Sequence, residues 1–174
     1  MILVTVGTHS QSFERLVRTM DELADGLEER VVIQYGSSQY RPRFAEGFDF
    51  ASSQEMERLT GQAQVVVCHA AAGSILMALQ YSRPIIAVPR LKRYGEHMDD
   101  HQLQLARALE AQGMAQVVYE ISVENLKRAV LRAGSAQEWI DKDGQLVKAL
   151  KARLAAWERF ALRQIEQPKQ GAGL

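Results

Sequence analysis

The stretch Val65-Val-Val-Cys68-His69-Ala-Ala-Ala-Gly73-Ser74-Ile-Leu-Met77-Ala-Leu79 decides the fold. Its first four residues are a continuous apolar run, the pattern of a strand buried on both faces. A tract of small residues then leads into a helix through Leu79. The same alternation repeats on either side. Upstream, Ile2 to Val6 reads as a strand closed by Gly7, and Phe13, Leu16, Val17, Met20, Leu23, Ala24 and Leu27 follow at helical spacing. Glu14, Arg15, Arg18, Asp21, Glu22 and Glu28 fall on its other faces, and Ser10 or Ser12 is placed to cap it. Val31 to Tyr35 is a second strand, stopped at Gly36. Residues 36–50 read as irregular, with Pro42, Gly47 and five aromatics from Tyr35 through Phe50. Ser52 and Glu55 have capping-box spacing for a short helix bearing Met56 and Leu59.

Downstream, Pro84 to Val88 reads as a strand, Arg90 to Met98 as a polar loop, and Asp99 to Leu109 as a helix stopped by Gly113. Ala115 to Tyr119 is a further strand. Ser122 caps the next helix, with Ile121 and Leu126 as a hydrophobic staple. A long helix is expected over 137–165 and a frayed tail from Pro168. Strands that are apolar throughout and alternate with helices imply a doubly wound α/β domain with a mainly parallel sheet.

The 174 residues are 47% hydrophobic and 24% charged, sufficient for one domain with a substantial core. Lys and Arg total 21, as do Asp and Glu, so no net charge draws the chain to nucleic acid or an anionic membrane. The single Cys68 excludes an internal disulfide and reads as a buried structural thiol. With no secretory signal pattern and no apolar run long enough to cross a bilayer, a cytoplasmic domain is expected.

Ligands of such sheets bind at the carboxyl ends of the strands, near the switch in strand order. The loops at 7–12, 36–39, 69–74 and 89–98 are therefore the candidate site. In Cys68-His-Ala-Ala-Ala-Gly-Ser74 the small side chains admit a ligand to the backbone, and the free N–H groups of a first helical turn favour an anion such as a diphosphate. Close packing of helix on sheet is the alternative. The segment is neither a Walker loop, nor a GxGxxG fingerprint, nor a nucleophile elbow. Val6-Gly-Thr-His-Ser10 is a similar turn, with His9 as either a surface or capping group or a catalyst. His97 and His101, four apart, share a face if both are helical. With Glu96, Asp99 and Asp100 they suggest a metal site, a polar helix start, or a loop over a nucleotide-sugar. In the last case Arg90, Lys92 and Arg93 lie near phosphates and Asp100 and Gln102 near hydroxyls.

Together, Val4-Thr-Val-Gly-Thr-His9, Gln34-Tyr-Gly-Ser37, Cys68-His-Ala-x-Ala-Gly-Ser-Ile-Leu76, Pro84-Ile-Ile-x-Val-Pro-Arg90 and Tyr94-Gly-Glu-His-x-x-Asp-His-Gln102 resemble the C-terminal domain of glycosyltransferase family 28, over about residues 1–135. The likeness is greatest to the small catalytic subunits of two-component bacterial exopolysaccharide glycosyltransferases. Those subunits are similar to the catalytic subunit of the N-glycan UDP-N-acetylglucosamine transferase.

The resemblance implies a Rossmann-like sheet equivalent to the C-terminal half of a GT-B enzyme. Residues 1–135 would form the UDP-sugar-binding half domain, 136–166 a long helix on it and 167–174 a flexible tail. A membrane-anchored partner subunit would supply the other half and a polyprenyl-diphosphate-linked saccharide acceptor, holding the chain at the inner face of the plasma membrane.

By motif, Gly7, Thr8 and His9 would face the reaction centre, Ala72, Gly73 and Ser74 the diphosphate, and Asp100, His101 and Gln102 the donor sugar. Gly36, Ser37, His69 and Arg90 complete the donor-binding set, and His9, Glu96 and His97 are the candidate catalytic residues. No metal or other cofactor is expected, because a helix N-terminus can neutralise the leaving diphosphate. Two positions depart from the family pattern. Ala71 replaces a glycine, and Met77 stands where a glutamate grips the ribose, so that Glu96 takes that role or donor binding is weakened or altered. The competing expectations are a degenerate, non-catalytic partner-binding subunit and a metal-dependent hydrolase centred on His97 and His101. Self-association through the carboxyl-edge loops or the last helix is a further expectation.

Overall fold

A computed structural model describes residues 1–135, which lie within one compact unit, Met1–Ile140. The helix expected over 137–165 and the tail beyond it lie outside the described residues.

Six strands form one parallel sheet: β1 (Ile2–Thr5), β2 (Val31–Gln34), β3 (Glu46–Phe48), β4 (Val65–His69), β5 (Ile85–Val88) and β6 (Gln116–Val117). Their order is β3-β2-β1-β4-β5-β6. The chain runs outward from β1 to β3, returns to place β4 against β1, then runs outward to β6. Ile2 lies opposite Val31 on one side and Val65 on the other. The direction of winding switches between β1 and β4, and a crevice opens there beyond the strand ends.

The helices are α1 (Glu14–Ala24), α2 (Ser53–Gln62), α3 (Ala72–Gln80), α4 (His101–Ala111) and α5 (Val123–Ser135). Val4, Ile33, Val67 and Ile86 from the sheet pack with Phe13, Leu16 and Met20 on the α1 side and Leu126 and Ala129 of α5 in one buried cluster. The alternate strand residues Leu3, Val32, Val66 and Ile85 are buried as well, on the opposite face. Burial on both faces is why these strands read as unbroken apolar runs.

The caps agree in part with the sequence pattern. Ser122 Oγ accepts from Asn125 N–H at 3.1 Å, beneath the buried Leu126 and half-buried Ile121. Ser52 Oγ accepts from Glu55 N–H, but the Glu55 carboxylate pairs with Arg58. At the end of α4, Gly113 N–H bonds the Glu110 carbonyl and Met114 N–H the Leu109 carbonyl, with Gly113 at φ +66°. That is a Schellman ending.

Four local expectations are corrected. Residues 46–48, read as irregular, form the edge strand β3, with Glu46 opposite Val32. Asp21, read with the charged residues on the other faces of α1 away from its apolar stripe, is fully buried. Neither Ser10 nor Ser12 caps α1; the helix starts after Phe13, whose N–H donates to Ser38 Oγ. The last strand has two residues rather than five, with one further bond from Val118 N–H to the Ala87 carbonyl.

Candidate functional site

Beyond the ends of β1 and β4 lies a cavity of about 310 Å³ lined by Gly7, Thr8, His69, Gly73 and Ser74 from the sequence-derived set. Ala72 opens α3 between the lining residues Ala71 and Gly73. No side chain caps α3 at Ala71, so its first-turn N–H groups remain available to an anion. Met77, one turn further along α3, also lines the cavity.

Gly7 adopts φ +75°, and a β-carbon there would lie 2.5 Å from His69 Cε1 and 2.6 Å from Nε2. Only glycine combines that backbone with a ring laid against it. Burial, reinforced by the Arg90 charge, pulls the His69 imidazole down to about 4, against a backbone hydrogen bond to Thr5. His69 is therefore neutral near pH 7, and its buried Nδ1 has no protein partner. Gly36, at φ +55°, sits behind this loop, where a β-carbon would meet the Gly7 carbonyl at 2.9 Å. Ser37 Oγ donates to the His9 carbonyl at 3.0 Å, so Gly36 and Ser37 position the 7–9 turn from behind.

A second group forms where the β1–α1 and β5–α4 loops meet. The His9 and His97 ring centroids are 5.2 Å apart. His9 Nδ1 accepts from Gln11 N–H at 3.2 Å, which leaves the proton of the neutral ring on Nε2. Burial lowers the His9 pKa, helped by His97 and Arg90. His97 Nδ1 lies 3.1 Å from Asp99 Oδ1, and His101 Nδ1 lies 2.6 Å from Asp99 Oδ2. Burial pushes the Asp99 carboxyl up, but the backbone and side-chain bonds from His101 with the two histidine charges outweigh it and hold the pKa low. His97 precedes α4 and only His101 is helical, so the two do not share a helix face. Among the described residues no group of three His, Cys, Asp or Glu side chains is placed to hold a metal ion.

Arg90 and Glu96 are placed differently from expectation. Arg90 is 0% exposed, and its guanidinium donates to the carbonyls of Gln11, Ser12, Glu96 and Val6 at 2.7–3.1 Å over the Phe13 ring. Burial lowers its pKa to about 10, opposed by Glu96, so it stays charged at neutral pH. It clasps two loops rather than facing phosphate. Glu96 is buried in a two-pronged pair with Arg15, at 2.7 and 2.8 Å, and accepts from Leu91 N–H, so its lone pairs are committed to the protein. Gln102 is buried with Oε1 on Arg90 N–H, and Asp100 Oδ1 accepts from Lys92 N–H. Asp100 lines a separate cavity of about 350 Å³ with Arg93, Arg107 and Tyr119.

Ala51, Ser53, Met56 and Thr60 also line the first cavity and were not among the site residues expected from the sequence. The spacing of Ser53, Met56 and Thr60 puts them on one face of α2 and was the signal available. Thr5 and Gln34, also in the lining, are joined by a side-chain hydrogen bond.

Over 78 residues the chain is 40% identical to the UDP-N-acetylglucosamine transferase subunit ALG13 of Cryptococcus neoformans, a match covering 44% of this chain and 36% of that protein. The matched stretch thus spans about a third of the curated relative. The crystal structure of the calicheamicin glycosyltransferase CalG4 superposes with TM-score 0.66 at 16% identity, over 95% of this chain and 43% of that one. The NMR structure of ALG13 superposes with TM-score 0.52 at 22% identity, over 80% and 86%. At these identities the superpositions show the fold, a doubly wound α/β domain of the kind found in those proteins. The glycosyltransferase family 28 C-terminal domain matches residues 1–155 of the 174, and the chain belongs to that family.

Proposed function

We propose that this chain is the donor-binding half of a UDP-sugar glycosyltransferase. It transfers a glycosyl unit to a polyprenyl-diphosphate-linked saccharide in exopolysaccharide or glycan biosynthesis, together with a membrane-anchored subunit that binds the acceptor. The observation that carries this reading is the cavity at the strand-order switch, where the uncapped start of α3 and the glycine turn at Gly7 meet. Such a site favours a diphosphate.

In the reaction the acceptor hydroxyl oxygen bonds the anomeric carbon as the bond from that carbon to the phosphate oxygen breaks. The N–H groups of Ala72, Gly73 and Ser74 stabilise the negative charge gathering on the departing UDP. The hydroxyl proton goes to an imidazole of the His9–His97 pair, since the Glu96 carboxylate is held by Arg15 and Leu91 N–H. Asp100, His101 and Gln102 at the start of α4 are the proposed sugar-side group. The partner places the chain at the cytoplasmic face of the membrane. Among the described residues no helix is long and apolar enough to cross it.

Transfer from UDP-sugar to a lipid-linked acceptor, assayed with the chain alone and with its partner, tests this reading. The chain alone is expected to turn over slowly or not at all, and the partner to restore transfer. Met77 in the cavity favours one rival, a degenerate subunit. Failure of the assembled pair to bind UDP identifies that rival.

A further inference from the structure

We propose that Asp99 gives the two imidazoles beside the donor cavity opposite roles. It keeps the proton of neutral His97 on Nδ1, so that His97 Nε2 takes the acceptor's hydroxyl proton, while His9 keeps its own proton on Nε2 and serves as a donor. The inference rests on the transferase reading above and says which imidazole is the base.

His9 follows Thr8, which lines the cavity, and the His97 ring lies 5.2 Å from the His9 ring. Two groups of residue 99 compete for His97 Nδ1: the Asp99 Oδ1 at 3.1 Å and the Asp99 backbone N–H at 3.3 Å. The carboxylate needs a proton on Nδ1, and the amide needs a lone pair there. Asp99 is ionised at neutral pH, and an ionised partner makes a hydrogen bond roughly twice as strong as a neutral one. A bare Nδ1 would also set its lone pair against a negative oxygen. The carboxylate contact therefore prevails and leaves the Nε2 lone pair of His97 free to take a proton. The start of α4 holds the carboxylate in place, since Oδ1 accepts from His101 N–H at 3.0 Å and Oδ2 lies 2.6 Å from His101 Nδ1. At His9 the contact has the opposite sense, because Gln11 N–H donates to Nδ1 at 3.2 Å and the proton stays on Nε2. As the acceptor oxygen bonds the anomeric carbon, the pair of the breaking bond leaves with UDP and the hydroxyl proton passes to His97 Nε2. The imidazolium so formed sits against the Asp99 carboxylate. Asp99 touches no reacting atom and is a positioning residue.

Long-range proton–nitrogen NMR spectra of the histidine rings in the full chain at pH 8 test this, alongside Asp99→Ala and Asp99→Asn. His97 is expected as the Nδ1–H tautomer and His9 as the Nε2–H tautomer. Asp99→Ala leaves only the backbone N–H of residue 99 against Nδ1 and is expected to move the His97 proton to Nε2. Asp99→Asn, whose amide oxygen still accepts, is expected to retain the Nδ1–H form in part. In the transfer assay with the partner, Asp99→Ala is expected to lower kcat about tenfold or more with UDP affinity within about twofold, and Asp99→Asn to recover part of the loss. An Nε2–H tautomer of His97 in the unaltered chain overturns the inference. So does a folded Asp99→Ala variant that keeps the Nδ1–H form or keeps full kcat. An assembled pair that transfers no sugar overturns the transferase reading, while the ring tautomers still decide whether Asp99 sets the two imidazoles apart. If Asp99→Ala does not fold, the unaltered chain and Asp99→Asn decide the matter.

Discussion

Arg90 Nη2 donates to the Val6 carbonyl at 2.7 Å, joining the chain just past β5 to the chain just past β1. β4 lies between those strands, so the bond spans the sheet's carboxyl edge at the cavity. Three more carbonyls, of Gln11, Ser12 and Glu96, share the same guanidinium. The Val6 and Glu96 carbonyls would be buried without this donor if the fork were lost, and those of Gln11 and Ser12 partly so.

Arg90→Met is accordingly expected to cost about 3 kcal/mol or more of stability, because it strands several carbonyls at once. Arg90→Lys keeps the charge but lacks the planar fork and is expected to cost less. Both should weaken UDP binding, since the His9 and Glu96 loops lose their common tie. Denaturant unfolding and UDP titration of the two variants check this.

The glycines at the cavity separate fold from binding. Gly7→Ala puts a methyl into the His69 ring on a left-handed backbone and is expected to destabilise the chain by roughly 1–3 kcal/mol. A β-carbon on Gly73 meets nothing within 4 Å. Gly73→Val should therefore leave stability within about 0.5 kcal/mol yet abolish UDP binding by filling the space over the first-turn N–H groups. Thermal melts paired with UDP titration distinguish the two.

His69 gives the fold a pH dependence. Its folded pKa, about 4, lies below the unfolded value of 6.5, so the unfolded chain takes up the proton first as pH falls. Its full contribution is present above about pH 6.5 and is lost progressively toward pH 4, at up to about 1.4 kcal/mol per pH unit. Urea midpoints at pH 7.5 and 5 should differ in the unaltered chain and differ less in His69→Gln, where the smaller His9 contribution remains. The His69 ring resonances should stay fixed between pH 8 and 5.5.

Asp21 acts in a lower pH window. Burial pushes its carboxyl up, but bonds from the Tyr40 hydroxyl and the N–H groups of Ala45, Arg43 and Phe44 outweigh that and depress the pKa. Its contribution is complete above the ordinary carboxylate value near 4 and fades as pH drops through the folded value. Asp21→Asn turns donors toward donors. It is expected to cost about 2–3 kcal/mol at pH 7 and to flatten the acid limb of a denaturation series.

The elements legible in the sequence were those whose residues carry their own pattern. β1, β2, β4 and β5 are apolar runs because both faces are covered, and α1 and α5 show their buried stripes. β3 has no such pattern, because Glu46-Gly-Phe48 is an edge strand whose place is fixed from outside. Asp21 accepts the N–H groups of 43–45 just before it, and nothing local in the α1 sequence separates that carboxylate from its exposed neighbours. In the site, the strand-to-helix turns at Gly7 and at 69–74 were legible from their small residues and their place at strand ends. The inward turn of Arg90 and Glu96 was not. Both read as polar loop residues, and their burial follows from long-range partners, Val6 and Arg15.

The pairing of β1 with β4 also orders events as the chain is made. Ile2–Thr5 emerge from the ribosome well before Val65–His69, so β1, β2 and β3 exist for a time as a half-sheet with β1 as a bare apolar margin. Contacts so far apart in sequence form late and slowly, and an uncovered strand margin is where growing chains adhere to one another. A chain released after α2 keeps that margin for good. The contact that opens the crevice is thus also the one that covers the β1 margin and passes the bare edge on to β4, until β5 pairs with it.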